Sequence, residues 1–130
     1  MSPADVEIVR QLFERMSGGG LDFALELISE DFSGEVPSDL SAEPDTYEGH
    51  AGARRYFAGF DGLLEDVRFE PLEIVDEGEA VLIWLSLSGR GAASGIEVEQ
   101  HAAVLVWLAG GKVVRMRPFA DVESAREALR

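Results

Sequence analysis

Two adjacent glycines near the end of the chain constrain its fold most. Gly110-Gly111 divides two long strand-like runs, Ile96 to Ala109 and Lys112 to Phe119. Paired glycines supply the positive backbone angles of a tight two-residue hairpin, so the two runs are expected to pair antiparallel. With the glycines at the tip, Leu108 faces Val113, Trp107 faces Val114, Leu105 faces Met116 and Ala103 faces Pro118. Directly opposed residues share a face, as do alternate residues along a strand. One face then carries Glu99, His101, Ala103, Leu105, Trp107, Val114, Met116 and Pro118; the other carries Val104, Val106, Leu108, Val113, Arg115 and Arg117. The first is the more apolar and is expected to lie against helices, with His101 near the mouth of the interior. The second holds enough valine and leucine to want a cover. A homodimer packed through this sheet face is the expected cover.

Further strands are expected before the hairpin. Val67 to Asp76 reads as a strand whose Pro71 marks an edge or a bulge. Asp76-Glu77-Gly78 is a turn. Val81 to Leu87 is almost wholly apolar, so both of its faces should be covered, and Gly89 to Gly95 is a glycine-rich turn. The first part of the chain has helical periodicity instead. Val6, Val9, Phe13 and Met16 form one stripe behind Ser2 as N-cap and Pro3 at the first helical position, and Gly18-Gly19-Gly20 ends the helix. Asp22 can cap a second helix, Phe32 to Val36 is a short extended piece, and Pro37 to Thr46 is a loop. His50 to Phe60 is a third helix with Ala53, Tyr56, Phe57 and Phe60 on its buried side, and Asp121 caps a last helix running to Arg130. Helices, then an antiparallel meander, then a short helix make one α+β domain over 1–130, with helices packed on one face of the sheet.

Charge and composition narrow the partners. Eleven basic residues against 25 acidic ones leave a net charge of −14, a field that repels nucleic-acid phosphates and anionic membranes alike. No apolar run approaches the length of a membrane span, and no basic stretch followed by an apolar core opens the chain, so neither a span nor a signal peptide is expected. Cysteine is absent, which removes thiol nucleophiles and cysteine metal sites and suits a cytoplasmic setting. With two histidines far apart and no His/Asp/Glu cluster at ligand spacing, no metal or other cofactor is expected.

Three stretches carry a resemblance: Tyr47-Glu48-Gly49-His50 before the third helix, Gly89-Arg90-Gly91 through Ser94-Gly95-Ile96-Glu97-Val98-Glu99, and Gly111-Lys112-Val113-Val114-Arg115 through Asp121. Their order resembles the SnoaL-like branch of the nuclear transport factor 2-like superfamily, over nearly the whole chain. The resemblance implies a cone-shaped, strongly curved antiparallel sheet around N-terminal helices, a pocket at the open end, and frequent dimers formed by the sheet. The superfamily includes isomerases, cyclases, epoxide hydrolases, dehydratases and non-catalytic binders, so fold alone assigns no function. Ketosteroid isomerase-like members place an acidic base before the proline that ends the first short strand; Val36, before Pro37, stands there. Their oxyanion-hole tyrosine corresponds to the stretch Leu12-Phe13, and the inward aspartate of limonene epoxide hydrolase-like members corresponds to Pro118. None of these side chains can move a proton. Glu35, next to the base position, would point to the opposite face.

His101 is then the sharpest chemical candidate. An imidazole titrates near neutrality and can act as acid or base, and Glu99, two residues earlier on the same face, could orient it. The plainer reading is a histidine that lines a pocket or bonds at the sheet end without chemistry. Tyr56 needs a partner for its hydroxyl. Trp84 fits either a pocket floor or a dimer seam, and Met116 fits plain core or ligand platform. His50 and Asp121 read as helix caps. The leading expectation is a binding domain for a small, largely apolar organic molecule, lined by Tyr56, Trp84, Glu99, His101 and Met116. The alternatives are an isomerase, cyclase or dehydratase that uses His101, and a non-catalytic dimerisation module.

Overall fold

Helix α1 (Pro3–Ser17) starts where the sequence supplies a reciprocal cap. The Ser2 hydroxyl accepts from the Asp5 backbone N–H at 3.2 Å, and the Asp5 carboxylate accepts from the Ser2 N–H at 3.1 Å. Its stripe buries Val9, Leu12, Phe13 and Met16, each worth about 1.5–3 kcal/mol of transfer free energy. The computed structural model describes residues 2–17, 21–36, 45–58 and 64–130; the Gly18–Gly20 helix stop and most of the 37–46 loop lie outside the described residues. A short helix α2 (Leu21–Ala24) and one 3-10 turn lead into β1 (Ile28–Val36). This strand is longer than the expected piece from Phe32. A four-residue strand β2 (Asp45–Glu48) pairs with it, and α3 (Gly49–Ala58) follows. The β2 strand was not legible in sequence, because four residues show no period. Gly52 permits the close approach of α3 to β2, since a Cβ there would meet the Tyr47 carbonyl carbon at 2.7 Å.

The remaining strands are β3 (Leu64–Asp76), β4 (Val81–Gly91), β5 (Glu97–Ala109) and β6 (Lys112–Phe119), followed by α4 (Val122–Ala128). They form one curved six-stranded sheet in the order β2-β1-β6-β5-β4-β3, with β1 parallel to β6 and all other neighbours antiparallel. Pro71 lies on the edge strand β3, beside a register shift, as a proline without an N–H to give requires. Gly110 and Gly111, at φ 60° and 78°, make the expected turn of the last hairpin. The glycine-rich turn before β5 is shorter than expected, because β4 runs on to Gly91.

The faces differ from the sequence expectation in two ways. A bulge follows the hairpin turn: Leu108 opposes Val113, but Trp107 opposes Arg115, which leaves Val114 as the extra residue. The expected Trp107–Val114, Leu105–Met116 and Ala103–Pro118 pairs are therefore replaced by Val106–Met116, Leu105–Arg117 and Ala103–Phe119. The helix-covered face is also the other one. Val9, Leu12, Phe13 and Met16 of α1 join Val81, Ile83, Leu85, Val104, Val106, Val113 and Met116 in one core. Ala103, Leu105 and the row of His101 lie on the opposite face, called here the outer face. Its apolar part, Ala80, Leu82, Ala103, Leu105 and Phe119, packs around Ala125 of α4 in a second buried cluster. Both faces are apolar, so pattern alone could not rank them. The face that the sequence assigned to a partner subunit, with Val104, Val106 and Val113, is the one covered by α1 and its neighbours, and the face it assigned to the helices is covered, over Ala103 and Leu105, by the chain's own last helix.

Candidate functional site

On the helix-covered face, β5 presents Val104, Ala102, Gln100 and Val98 opposite Ile83, Leu85, Leu87 and Gly89 of β4. Val104 is dry, Gln100 is exposed and Val98 is 39% exposed. The apolar floor thus runs out from the filled core toward open solvent, with a carboxamide set into it. Leu87 packs at the margin of the core, and Phe69 of β3 opposes it. Ser17 pins α1 over this region: its hydroxyl accepts from the Phe69 N–H at 2.8 Å and lies 2.9 Å from the Phe69 carbonyl. At the other side of the sheet, Tyr47 opposes Gly34, which is in register with Met116, so the phenol shares the helix-covered face. The guanidinium of Arg55 lies 5.0 Å from its ring centroid. His50 ties α3 to β1, with its Nε2 2.7 Å from the Ile28 carbonyl oxygen.

Three residues of the sequence-derived set come together, but on the outer face. Trp84 and His101 stack with ring centroids 5.5 Å apart and planes 14° apart. His101 Nε2 lies 3.3 Å from Glu99 Oε1, and the Ser86 hydroxyl donates to the same oxygen at 3.3 Å. The His101 side chain is 40% exposed, so it is neither inside the interior nor at its mouth, contrary to expectation. Trp84, left open between pocket and seam, stands with it. Met116 is on the helix-covered side, 2% exposed in the core. Tyr56 belongs to α3, and its side chain lies outside the described residues. Glu35 points away from the helices as expected: Arg115 donates to it through Nε at 2.8 Å, and Arg117 Nε lies 3.6 Å away. Asp121 caps α4, accepting from the Ser124 N–H at 2.7 Å, and this bond is the main cause holding its carboxyl below the ordinary value of 3.8.

Two clefts border these elements. One, of about 510 Å³, lies where the outer face ends on β3, β4 and β5; Asp66, Arg68, Ser88, Arg90, Glu97 and Glu99 line it, and Val98 at the strand end borders it from the helix-covered side. The other, of about 640 Å³, lies between α1 and the edge strand β3, lined by Arg10, Glu14, Ser17, Arg68 and Phe69 among others. Among the described residues no group of three or more His, Asp or Glu side chains could hold a metal ion. Among them, too, no helix is long and apolar enough to cross a membrane.

Sequence reasoning missed Gln100 as a polar side chain of the helix-covered face. The pattern contained it: it alternates with Val98 and Ala102, and choosing the other face of the hairpin would have exposed it.

The fold is shared with several solved structures. A hypothetical protein from Catenulispora acidiphila DSM 44928 with a ketosteroid isomerase-like fold superposes at a TM-score of 0.75 with 18% identity, over 95% of this chain and 90% of that one. SalBIII, an epoxide hydrolase/cyclase-like enzyme in pyran ring formation of the polyether salinomycin, superposes at 0.74 with 25% identity over 92% of each chain. A protein from Jannaschia sp. CCS1 assigned as a SnoaL-like polyketide cyclase superposes at 0.76 with 25% identity, over 98% of this chain and 94% of that one. No curated protein matches the chain in sequence. The family model of the SnoaL-like domain matches residues 9–116, and the chain belongs to that family.

Proposed function

We propose that this SnoaL-like domain binds a small, largely apolar organic molecule on the helix-covered face of its sheet. The observation that carries the reading is the floor beyond the core: Val98 and Leu87 continue the apolar face past the point where the core is filled, with Gln100 between them on the same face. A mostly apolar surface with one or two convergent polar groups is what small-molecule sites present. Gln100 offers both a donor and an acceptor, which suits a neutral carbonyl or hydroxyl better than a charge. Met116 pairs with Val106 in the filled core, further along β5 from Gln100, and Tyr56 is carried by α3, which packs near β1. An enzymatic reading draws on the cyclase and epoxide hydrolase/cyclase-like relatives. For this chain it would need its proton-transfer group at Tyr47 or at His101, the latter on the outer face and so at a different site.

Titration with the neutral apolar fluorophore N-phenyl-1-naphthylamine tests the proposal. Saturable binding is expected, at least about tenfold weaker in Gln100→Trp, which fills the floor, and unchanged in His101→Ala. Absence of saturable binding, or loss in His101→Ala with Gln100→Trp unaffected, would overturn it.

A further inference from the structure

The outer cleft of β3, β4 and β5 contains a charge arrangement that the apolar site does not use. Its lining sets Asp66 and Arg68 of β3 and Arg90 of β4 against Glu97 and Glu99 of β5. Arg90 is engaged by Asp66, and Glu99 is engaged by Ser86 and His101. Arg68 and Glu97, by contrast, make no hydrogen bond or ion pair with any described residue, although both line the cleft. Ser88 lies in register between Arg68 and Glu99, and Glu97 directly opposes Arg90, which Asp66 engages. The cleft thus keeps one unpaired cation and one unpaired anion on opposite sides.

Its shape is built by a local irregularity. The β3–β4 register shifts between Glu65 and Arg68, and Asp66 in that shift has φ 52°. Aspartate tolerates this left-handed backbone better than most residues, but it is held there at a cost. Bulges re-aim side chains and recur beside binding sites, and a strained residue that persists points toward a function. Here the bulge brings the Asp66 carboxylate to Arg90, which removes that arginine from competition and leaves Arg68 as the available guanidinium.

We infer that this cleft binds a small zwitterion, a compound carrying both a carboxylate and an ammonium, of amino-acid to dipeptide size. A simple anion would be repelled by Glu97, Glu99 and the net charge of −14. A simple cation would leave Arg68 unpaired and facing it. A zwitterion satisfies both unpaired groups: its carboxylate takes the planar fork of Arg68, and its ammonium takes Glu97. Strand rise and spacing put the two backbones roughly 12 Å apart, a span that a long arginine side chain and a short bifunctional ligand can bridge. The cleft volume of about 510 Å³ accommodates such a ligand.

The experiment is a titration of the full chain with glycyl-leucine, followed by backbone-amide NMR. Saturable shifts are expected at residues 66–69, 88–90 and 97–99, with a Kd on the order of millimolar. N-acetyl-glycyl-leucine and glycyl-leucine amide, each lacking one charge, should bind roughly tenfold more weakly. In Arg68→Gln the free peptide should bind no better than its amide, and in Glu97→Gln no better than its acetylated form. These substitutions are at the surface, and binding of the apolar fluorophore should be unchanged in both, so this outcome is independent of the helix-covered site. No saturation by about 20 mM, or equal binding of the free and both blocked peptides, would overturn the inference.

Discussion

His101 lies flat on Trp84 with one nitrogen near Glu99, and its side chain is 40% exposed. A half-exposed imidazole–carboxylate contact of this kind is worth at most about 1 kcal/mol, because water screens it and the side chains lose freedom to make it. His101→Ala is therefore expected to lower the unfolding free energy by less than about 1 kcal/mol, as read from urea denaturation. A loss of several kcal/mol would show that the histidine is a structural keystone of the outer face. The contrast is with Phe13, 1% exposed in the main core. There Phe13→Ala is expected to cost about 3–5 kcal/mol in the same measurement, through lost transfer energy and the cavity left behind. The apolar residues of its row, Ala103, Leu105 and Trp107, made His101 look inward in the sequence; in the structure that row is the outer face, packed at its apolar end around α4.

At the scale of elements, α4 decides what the outer face is. It is only seven residues long, too short to hold as a helix on its own, and it persists through three local devices. Ala125 is buried against Leu82, Ala103, Leu105 and Phe119. Arg126 donates to Glu77 at 2.9 Å. Asp121 caps the first turn, accepting from the Ser124 N–H. That bond holds the Asp121 carboxyl below its ordinary value of 3.8. A carboxyl depressed in the folded state stabilises above its unfolded value, and the contribution is lost as pH falls through the folded value. Acidification from pH 5 toward pH 2 should thus loosen α4. The fluorescence of Trp84 and Trp107, which pack against the α4 cluster, should change over that range. The part of the change that belongs to the cap should be missing in Asp121→Ala, and identical curves for the two proteins would show that the cap does not control the helix. The bulge at Val114 is the other deciding element. One extra residue turns Arg115, Arg117 and Phe119 to the outer face and Met116 to the core.

For the whole molecule, a homodimer through the sheet would rest on different residues from those first assigned to it. Val104, Val106 and Val113 are buried under α1 and its neighbours, and Leu82 and Leu105 under α4. What the outer face leaves for a second copy is the half-buried Trp84 and Trp107, with Arg115 lying 4.4 Å from the Trp107 ring. Two copies each carrying −14 repel, and salt screens that repulsion over about 10 Å at 0.1 M. If the face serves as a dimer seam, light scattering at micromolar concentration should show a dimer that strengthens from low to moderate salt. A monomer throughout would leave α4 as the sole cover.

The sequence by itself determined much of this protein. Helical period in Val9, Phe13 and Met16, the Gly110-Gly111 turn, the edge proline Pro71 and the caps at Ser2 and Asp121 are local features. Each follows from a few neighbouring residues and elementary sterics, and together they were enough for the α+β order and the family resemblance. The tertiary structure alone decided which side of the sheet the helices cover. In β5 both rows, His101-Ala103-Leu105-Trp107 and Val98-Gln100-Ala102-Val104, are rich in apolar residues, because α1 packs on one side and α4 on the other. A period of two separates the rows but does not label them, and a single bulged residue reverses the neighbouring strand. The proposed site moved with that choice, from His101 and Glu99 to Gln100, because a face is named by what packs on it, and packing is a property of residues far apart in the chain.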